Sequence, residues 1–573
     1  MANRRPTRQH IGVLLTAVIL VPLLAACGAT TTSPAASAGA SAPASAEASA
    51  AASEPAASGG ILTAAWIGPC CLNVDTNNPL SAGGDAHWWN KIYGRLVTYT
   101  VADGAYDELV PELADSWSTS EDGLVWTIKL RDGVTWHDGE PFTADDVAFS
   151  IEACVNPAGG GCSNAGTLAP IAGVAEYQAG DADAISGVNV VDPLTIELST
   201  ATPSANLIDG FAETWMVPKH SLGEIPIDQH KDTDWWTTQA IGTGPFKWKT
   251  YTPGQSIELE RFDDYWRGAP KLDGIIRRQF QDPATALLAF EAGEIDFTYV
   301  TGDEVARMRE SPIGTIFEGP SGVDNEISFN RGKHAEFNNV DVRQAMLMAV
   351  DRQSIIDNIY GGAAQLVPCL YGLPSLTGDV QPQPYDPAAA KALLDGSGET
   401  MKSEYIFDTY YNDPLSANVM TAIQQNWADN LGVNVKLQPM DPAAWTTRYY
   451  DNGEFDIAFA GAANGPTGQR AFTYFHTSAL YPNGGNGYKG YHNDIPALDA
   501  ALEGAAEEFD KDAQNALYAE ACQIMHDELP WLFMWQTVRY HIVSNKLHNV
   551  ILIPAAGGGS YYDAVETWTK DPA

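Results

Sequence analysis

The alternation of apolar and polar positions along the chain predicts a mixed α/β protein. In the segment VWTIKL, Trp126, Ile128 and Leu130 alternate with other residues and a charged turn follows, as expected of a half-buried β-strand. Between residues 419 and 431 the apolar positions recur at helical spacing, and the next segments, GVNVKLQ and FDIAFAG, are typical of strands. A helix followed by two strands predicts an α/β lobe.

Longer helical patterns occupy the second half of the chain. The segment NNVDVRQAMLMAVDRQSIIDNIYGG predicts one helix that begins after an Asn cap and ends at Gly361. Two further helices are predicted over 497–509 and 512–529, before the apolar segment LPWLFMW begins the last predicted strand. Cys522 falls on the apolar face of the second of these helices, which predicts a buried free thiol.

The N-terminus has the layout of an export signal. Three arginines precede the apolar run 11–26, which is too short for a comfortable membrane span. The residues Leu-Ala-Ala before Cys27 resemble a bacterial lipobox, in which the cysteine is lipidated and becomes the new N-terminus; the alternative is an ordinary signal peptide cut nearby. We therefore predict a signal peptide over 1–26 and a lipidated, disordered tether over 27–60, because this Ala- and Ser-rich tract lacks large apolar residues.

Length and charge restrict the class of protein. The chain has 573 residues. Without the predicted signal and tether, the remaining length still exceeds what a single hydrophobic core usually supports, so two large lobes are expected. The formal net charge of −40 excludes nucleic acid and anionic membrane surfaces as partners. With no later apolar stretch of membrane-spanning length, the mature chain is predicted to be a soluble globule held to the membrane only through its first residue.

The seven cysteines fit an oxidising compartment. Cys154 and Cys162 bracket a turn-forming loop and are predicted to form a disulfide, whose closure contributes roughly 2 to 3 kcal/mol on the chain-entropy description. The pairing of Cys70, Cys71, Cys369 and Cys522 stays open. None of the cysteines shows the paired spacing of a zinc site, and we expect neither a metal nor a cofactor.

The segment PELADSWSTSEDGLVWTIKLRDGVTWHDGEPFTADDVAFS, at 111–150, resembles a diagnostic region of the family 5 solute-binding proteins, the oligopeptide, dipeptide and nickel type receptors of ABC importers. Within it, His137 is interpreted as a solvated turn residue. The resemblance continues in order through GTGPF, YWRGAPKLDGI, AFEAGEIDF, FNNVDVRQAMLMAVDR, YDPAAAKALL and GEFDIAFAG. In GTGPF, Gly242 and Gly244 are expected to permit a tight turn that a side chain would obstruct.

The resemblance implies a fold and a way of working. The fold would be α/β and two-lobed, of the type II periplasmic-binding-protein (Venus-flytrap) kind, with an extra subdomain in lobe one. Lobe one would cover 61–326 and 533–573, with the subdomain at about 100–200, and lobe two would cover 327–532. Hinge strands would lie near VDNEISFN and PWLFMWQ, and a solute that contacts both lobes would stabilise the closed state.

The resemblance leaves the ligand open. Peptide-binding members commonly carry a Gly-Trp-x-Ala-Asp-Tyr segment, whose aspartate pairs with the peptide amino group; the aligned positions here hold Ala462 and Gly465 in place of the tryptophan and the aspartate. Aromatic faces suit sugars as well as apolar peptide side chains, so more than one class of ligand stays open. Among the candidate ligands we rank peptide first, oligosaccharide second and metal chelate third. By family position the cleft candidates are Trp66, Cys70, Ala462, Ala463, Asn464 and Trp535.

Other classes of protein are alternatives to a receptor. An exported hydrolase would need a positioned nucleophile with its base, and neither GxSxG nor HExxH is present, so we expect no enzyme. A sensor or adhesive lipoprotein could reuse the same fold. The expected partners are a small solute and the ABC permease subunits, and the expected protein is a monomer, lipid-anchored to the outer face of the cell membrane.

Overall fold

The computed structural model describes residues 59–67, 78–80, 86–102, 105–162, 164–371, 374–464, 467–479, 495–552 and 562–572. The predicted signal peptide and nearly all of the predicted tether, with Cys27, lie outside the described residues, as do Cys70 and Cys71. In the part of the chain described, no helix has both the length and the apolar character needed to cross a membrane.

Strands and helices alternate along most of the chain. The strands are β1 (Ile61–Ile67), β2 (Val97–Ala102), β3 (Ala105–Pro111), β4 (Ala114–Thr119), β5 (Val125–Leu130), β6 (Val188–Asp192), β7 (Thr195–Ser199), β8 (Phe246–Thr252), β9 (Ser256–Arg261), β10 (Gly274–Phe280), β11 (Phe297–Val300), β12 (Gly314–Phe329), β13 (Ala364–Gln365), β14 (Tyr405–Thr409), β15 (Val435–Pro439), β16 (Ile457–Ala463), β17 (Leu532–Ser544), β18 (Leu547–His548), β19 (Ile551–Leu552), β20 (Tyr562–Asp563) and β21 (Thr569–Lys570). The helices are α1 (Ala86–Trp89), α2 (Ala144–Val155), α3 (Ala165–Leu168), α4 (Val174–Ala179), α5 (Leu207–Gly210), α6 (Lys219–Leu222), α7 (Trp235–Thr238), α8 (Pro283–Glu291), α9 (Gly302–Arg309), α10 (Val340–Met348), α11 (Arg352–Asn358), α12 (Pro374–Thr377), α13 (Pro387–Gly396), α14 (Pro414–Leu431), α15 (Pro442–Trp445), α16 (Gln469–Phe475), α17 (Pro496–Glu507) and α18 (Lys511–Glu528).

One large sheet runs through the molecule, in the order β15-β14-β16-β12-β17-β11-β1-β10-β9-β8, with β13 pairing on β17. Its two long middle strands, β12 with 16 residues and β17 with 13 residues, pair with each other in antiparallel fashion. These strands cover most of the two segments predicted as hinge strands. Their pairing shifts register between Pro320 and Asp324, where an irregular ladder bends the pair locally.

A second, four-stranded antiparallel sheet has the order β4-β5-β7-β6 and spans residues 114–199. The alternation predicted for VWTIKL is confirmed, since Trp126, Ile128 and Leu130 of β5 are all buried. This sheet lies within the range expected for the extra subdomain. Short pairs follow β17, so the strand begun by LPWLFMW is not the last one.

Two large hydrophobic clusters fill the molecule. One gathers buried residues between 62 and 297 together with others from 543 to 568, and the second gathers buried residues from 327 to 535. We call the part built around the first cluster, together with a smaller cluster of buried residues from 280 to 308 that packs against Ala65 and Ile67 of β1, lobe one. The part built around the second cluster is lobe two. The large sheet passes from one to the other through β12 and β17. The α/β, two-lobed fold is therefore confirmed, while the exact lobe boundaries stay a prediction.

The helix predicted to end at Gly361 is two helices, so this prediction was wrong. The first, α10, ends at Met348, and Asp351 caps the second, α11, by accepting a hydrogen bond from the Ser354 N–H at 2.9 Å. An aspartate that caps a helix takes a non-helical backbone conformation, and this interrupts the apolar period. The helix predicted before GVNVKLQ is confirmed as α14, which Asp413 caps.

The structure contains two disulfides among the described residues. Cys154 is bonded to Cys162, which confirms the predicted pair. The free thiol predicted at Cys522 is wrong, because this residue is bonded to Cys369 across a sequence separation of 153 residues. The apolar face of α18 correctly predicted burial, but helical periodicity carries no information about a partner so distant in sequence.

His137 lies in a turn, as interpreted from sequence, but its side chain is only partly exposed to solvent. Its Nδ1 accepts a hydrogen bond from the Gly242 N–H at 3.1 Å and its Nε2 lies 3.0 Å from the Gly244 carbonyl oxygen. The two glycines are needed for close approach: a Cβ on Gly242 would lie 1.8 Å from the carbonyl oxygen of Ile92. A side chain at Gly242 would therefore obstruct this segment, as predicted, and His137 contacts the backbone of both glycines.

Candidate functional site

A cavity of about 920 Å³ lies between the two lobes. Lobe one contributes the carboxyl ends of β1 and β11 and the beginning of α9, and the hinge strand β17 contributes residues 537–541. Lobe two contributes the last residue of α11 and the segment that follows it, namely residues 358–361 and Ala363, and the first turns of α14. Elements from both lobes therefore form the wall of a single space.

Strand direction explains why the cavity forms at this edge. Strands β1 and β11 are parallel, with Ala64 opposite Phe297, so their carboxyl ends meet at the same edge of the sheet. In α/β sheets, ligands bind in the crevice outside the carboxyl ends of the strands. On the other side of the cavity, α14 follows the carboxyl end of β14, and its residues Leu415 and Asn418 line the space.

Aromatic rings form the wall contributed by β11 and β17. The His541 ring stacks on Phe297, with centroids 5.2 Å apart, and meets the edge of Tyr299 at 6.2 Å. Burial lowers the pKa of His541 to about 3, and the nearby positive charge of Arg539 acts in the same direction. The imidazole is therefore neutral at physiological pH, and the positive charge on this wall is carried by Arg539.

A second arginine lines the cavity from β10. The guanidinium of Arg277 lies 5.4 Å from the ring centroid of Trp66 and 5.4 Å from that of Trp88. Both tryptophans are 2% exposed. Cation–π contact between a planar guanidinium and two buried rings fixes the plane and position of the arginine head. Trp66, a cleft candidate from sequence, thus supports a residue of the cavity wall.

Trp535 likewise contacts a residue of the cavity wall, in this case in lobe two. Its ring is fully buried in the lobe-two core and lies 5.6 Å from the ring of Tyr360, which lines the cavity. Burial raises the pKa of Tyr360 to about 12, so its hydroxyl remains protonated. Trp535 lies behind the wall, and contact of Trp66 or Trp535 with a solute stays a prediction.

The hinge strands carry a buried polar network beside the predicted cleft residues. Asn464, just after β16, donates a hydrogen bond to Asp324 Oδ1 at 3.0 Å, and Gln536 donates to the same oxygen at 3.1 Å. Gln365 donates in turn to Gln536 Oε1 at 3.0 Å. Burial raises the pKa of Asp324 well above its usual range. The network joins both hinge strands to lobe two.

The remaining cleft candidates are placed as follows. Ala462 and Ala463 are the last residues of β16, where Ala462 is 1% exposed and pairs opposite Asp324. Asn464 follows them and is 6% exposed, and its amide is engaged with Asp324. Cys70 lies outside the described residues. Contact of these residues with a solute stays a prediction.

Sequence reasoning missed the arginines of the cavity wall. Arg277 occupies a position of β10 that alternation places on the same face as the buried Ile275. Arg539 occupies a hinge strand whose other positions are largely apolar. A charged residue at an inward position of a strand is the signal that could have found both, because burial of a charge requires a partner or a ligand.

The two lobes also touch away from the cavity. Arg470 of α16 donates a hydrogen bond to Glu213 of lobe one at 2.7 Å, and both side chains are largely buried. Nearby, Asn206 donates to the Tyr518 hydroxyl at 2.7 Å and accepts from Gln514 at 3.0 Å. This contact zone joins the segment around α5 to α16 and α18.

No group of three or more His, Cys, Asp or Glu side chains that could hold a metal ion occurs among the described residues. Asp456, interpreted from sequence as structural, accepts hydrogen bonds from Lys333, His334 and Lys402 and from the Ile406 N–H. Its burial opposes ionisation, but these bonds hold the pKa of Asp456 well below its usual range. The carboxylate therefore ties segments of lobe two together.

Fold and cavity together define a two-lobed solute-binding protein, with a binding space between the lobes. Comparison with known proteins agrees. The profile of the bacterial extracellular solute-binding proteins, family 5, matches residues 108–483, and the chain belongs to this family. A provisionally named ABC transporter peptide-binding protein of Brucella melitensis is 34% identical over 524 residues, covering 90% of this chain and 95% of the relative.

More distant relatives and solved structures extend the comparison. The dipeptide-binding protein of Escherichia coli is 26% identical over 489 residues, covering 81% of this chain and 87% of the relative. The oligopeptide-binding protein AppA of Bacillus subtilis, solved with a nonapeptide, has a TM-score of 0.74 and 22% identity, covering 90% of this chain and 99% of its own. NikZ of Campylobacter jejuni, solved with Ni(L-His), has a TM-score of 0.72 and 22% identity, covering 89% of this chain and 99% of its own.

Proposed function

We propose that this protein is the substrate-binding receptor of an ABC importer and captures a peptide-like solute between its two lobes for delivery to the permease. The observation that carries the proposal is the cavity of about 920 Å³ with walls from both lobes. Its volume is near the upper end of the range of about 300 to 1,000 Å³ for small-molecule sites, which suits a short peptide. The names of the Brucella and Escherichia relatives support this solute class.

Closure of the lobes is the mechanism that the arrangement supports. A solute in the cavity would contact Arg277 and Tyr299 of lobe one and Tyr360 of lobe two at the same time. Such a solute binds the closed arrangement better than an open one, so it shifts the population toward closure. The chain crosses between the lobes through β12 and β17, whose register irregularity offers a place to bend.

The test is retention of a defined peptide mixture. The purified protein is incubated with peptides of two to nine residues, and native mass spectrometry records which are held, with oligosaccharides and nickel–histidine as parallel arms. We expect one unaltered peptide per protein and a smaller radius of gyration by small-angle scattering. Retention of a sugar or a nickel chelate in place of peptide would transfer the receptor role to that solute. An unchanged radius with bound solute would remove the closing mechanism.

We also propose that the receptor does not alter its solute chemically. The family comprises solute-binding proteins of transport systems, which supports this view. Chromatography of the peptide mixture after prolonged incubation is the direct check. Appearance of cleavage products in proportion to protein and time would contradict the proposal and favour the exported hydrolase.

The proposal includes a lipid anchor. Cys27 would carry the lipid after removal of residues 1–26, and residues 27–60 would tether a monomeric receptor to the outer face of the membrane, close to the permease. Metabolic labelling with an alkyne fatty acid should mark the wild-type chain. The Cys27→Ser variant should lose the label and leave the membrane fraction, whereas cleavage and release of the wild-type chain without label would favour an ordinary signal peptide.

A further inference from the structure

Two large apolar side chains line the cavity from opposite lobes and keep much of their surface accessible. Tyr299 of β11 is 36% exposed and Leu415 of α14 is 43% exposed. Among the described residues of the cavity wall, these are the large apolar side chains with the most accessible surface. Apolar surface left uncovered inside a cleft, rather than on the outer face of a protein, is typical of a binding site.

The Tyr299 ring is fixed on the lobe-one side of the cavity. Strand β11 pairs with β17 so that Tyr299 stands directly opposite His541, and the two rings meet edge to face with centroids 6.2 Å apart. Burial raises the pKa of Tyr299, although more than a third of its surface is accessible. The two observations agree when the ring faces a concave space that solvent enters but protein surrounds. The accessible part of this ring is therefore cavity wall.

Leu415 is held on the lobe-two side by the capped start of α14. Asp413 accepts hydrogen bonds from the Ser416 N–H at 3.0 Å and from the Ser416 hydroxyl at 2.6 Å, and Pro414 begins the helix. A capped first turn that begins with proline has little conformational freedom, so Leu415 is in position before a solute arrives. Asn418 lines the cavity as well, and its spacing of three residues places it on the same helix face as Leu415.

Tyr299 and Leu415 border the same part of the cavity. Burial is the main cause of the raised pKa of Tyr299, and the charge of Arg539 opposes it. The charges of Asp303 and Asp413 act in the same direction as burial. Because Asp413 belongs to lobe two and stands two residues before Leu415, its effect places the start of α14 near the Tyr299 ring. The two apolar side chains therefore approach this space from its two sides.

The charges around this space favour an uncharged group within it. Asp303 and Asp413 would repel a carboxylate, and Arg539 would repel an ammonium group. Both aspartates also lie at helix N-termini, in the first turn of α9 and at the cap of α14, where the helix dipole already compensates their charge. A charged group would have to give up its hydration for opposing charges, whereas an apolar group gains by leaving water.

We propose that Tyr299 and Leu415 form an apolar clamp that recognises an apolar side chain of the bound peptide. The inference rests on the proposed function and specifies its solute as a peptide with a leucine-like side chain. In an open arrangement such a side chain contacts one lobe, whereas in the closed arrangement it removes both Tyr299 and Leu415 from water. Because hydrophobic stabilisation grows with the apolar area removed from water, the apolar side chain favours the closed state.

The test varies one side chain in a fixed peptide. A peptide retained by the full-length protein is resynthesised with alanine, norleucine, lysine or glutamate at each position in turn, and dissociation constants are measured by calorimetry. At one position norleucine should bind roughly 10- to 50-fold more tightly than alanine, as expected for burial of three further methylene groups. Lysine, which has the same chain length and adds a charge, should bind at least about 10-fold more weakly than norleucine, and glutamate more weakly than alanine.

Variants connect the preference to the clamp. Leu415→Ala should weaken binding of the norleucine peptide roughly 5- to 20-fold and that of the alanine peptide less than about twofold. Tyr299→Ala should act in the same way, whereas Tyr299→Phe keeps the ring and should keep the preference. Leu288→Ala is the matched control, since Leu288 is an exposed leucine of α8 outside the cavity lining. Thermal unfolding without solute identifies a variant that fails to fold, and Leu415→Ala, at an exposed position, then decides the question.

The outcomes separate the inference from the proposed function. Retained peptides that bind equally well with norleucine or alanine at every position would overturn the clamp and leave the peptide receptor intact. Tighter binding of lysine than of norleucine would also overturn it, because the carboxylates would then select the side chain. An apolar preference that survives in both Leu415→Ala and Tyr299→Ala would show that other residues recognise the side chain. Retention of no peptide at all would remove the proposed solute class, and the clamp with it.

Discussion

Arg470 of lobe two and Glu213 of lobe one form an ion pair at 2.7 Å across the contact between the lobes, with side chains 12% and 18% exposed. Ion pairs that cross between two lobes stabilise the arrangement in which the lobes touch, and so bias the closing equilibrium independently of any solute. The adjacent hydrogen bonds of Asn206 to Tyr518 and Gln514 act in the same sense.

Breaking this ion pair is expected to favour the open arrangement. Arg470→Gln leaves the Glu213 carboxylate largely buried without its partner. For a fully buried ion pair, removing one partner lowers stability by about 3 to 5 kcal/mol. The loss should be smaller here because water reaches both groups in part. The solute-free radius of gyration should increase and solute affinity should fall. Arg448→Gln, which disrupts an ion pair with Asp408 inside lobe two, is the control and should leave the radius unchanged. Equal radii for both variants would contradict the role in closure.

The pKa of His137 predicts a loss of stability in acid. Burial lowers the pKa of His137 to about 4 from an unfolded value of about 6.5, so its stabilising contribution is complete above about pH 6.5 and is lost as the pH falls toward 4. The free energy of unfolding should decrease by up to about 3 kcal/mol over this window. Denaturant titrations of His137→Asn should show a smaller decrease, whereas His548→Asn, at an exposed site, should match wild type.

Asp324 predicts a pH dependence of the opposite sign. Its folded-state pKa is raised by burial, so stability is greatest below the unfolded pKa of about 4 and is lost as the pH rises through the raised folded value. Asp324→Asn keeps an oxygen acceptor for Asn464 and Gln536 and cannot ionise, so it should unfold at higher temperature than wild type at pH 8. Identical pH profiles for the variant and wild type would contradict this account. Asp324→Ala should destabilise at every pH, because both donors lose their acceptor.

The two disulfides should differ in what they contribute. On the chain-entropy description a link across the 153-residue separation of Cys369 and Cys522 contributes about 5 kcal/mol, and one across the 8-residue separation of Cys154 and Cys162 contributes about 2.5 kcal/mol. Paired serine variants should therefore lower the unfolding midpoint more for the long link than for the short one. The reverse order in thermal unfolding at equal pH would exclude loop closure as the main contribution.

Substitution of Trp535 tests whether its ring belongs to the hydrophobic core or contacts the solute in the cleft. The ring of Trp535 is fully buried and packs against Phe459 and Tyr360. Trp535→Ala should therefore lower the free energy of unfolding by about 3 to 5 kcal/mol. Trp66→Ala should loosen Arg277 and weaken solute binding as well. Loss of affinity without loss of stability in Trp535→Ala would instead show that its ring contacts the solute directly.

Local patterns predicted much of the fold because they reflect local physics. The apolar face of α14 and the alternation of β5 follow from the periods of helix and strand, and burial of those faces is what the structure shows. The prediction failed where a single side chain interrupts a period, as Asp351 does between α10 and α11. For the site, the sequence indicated Trp66 and Trp535 by family position, whereas Arg277 and Arg539 emerged from the cavity itself.

The sequence by itself determined the class of protein: the order of its motifs establishes the family, and its periodic apolar positions specify helices, strands and two cores. Tertiary structure decided everything that depends on residues far apart in the chain. Cys369 meets Cys522, Arg470 meets Glu213, and Arg277 lines the same cavity as Arg539 because β10 and β17 lie in one sheet. Periodicity describes which face of an element is buried, and only the packing of elements against each other settles which partner that face meets.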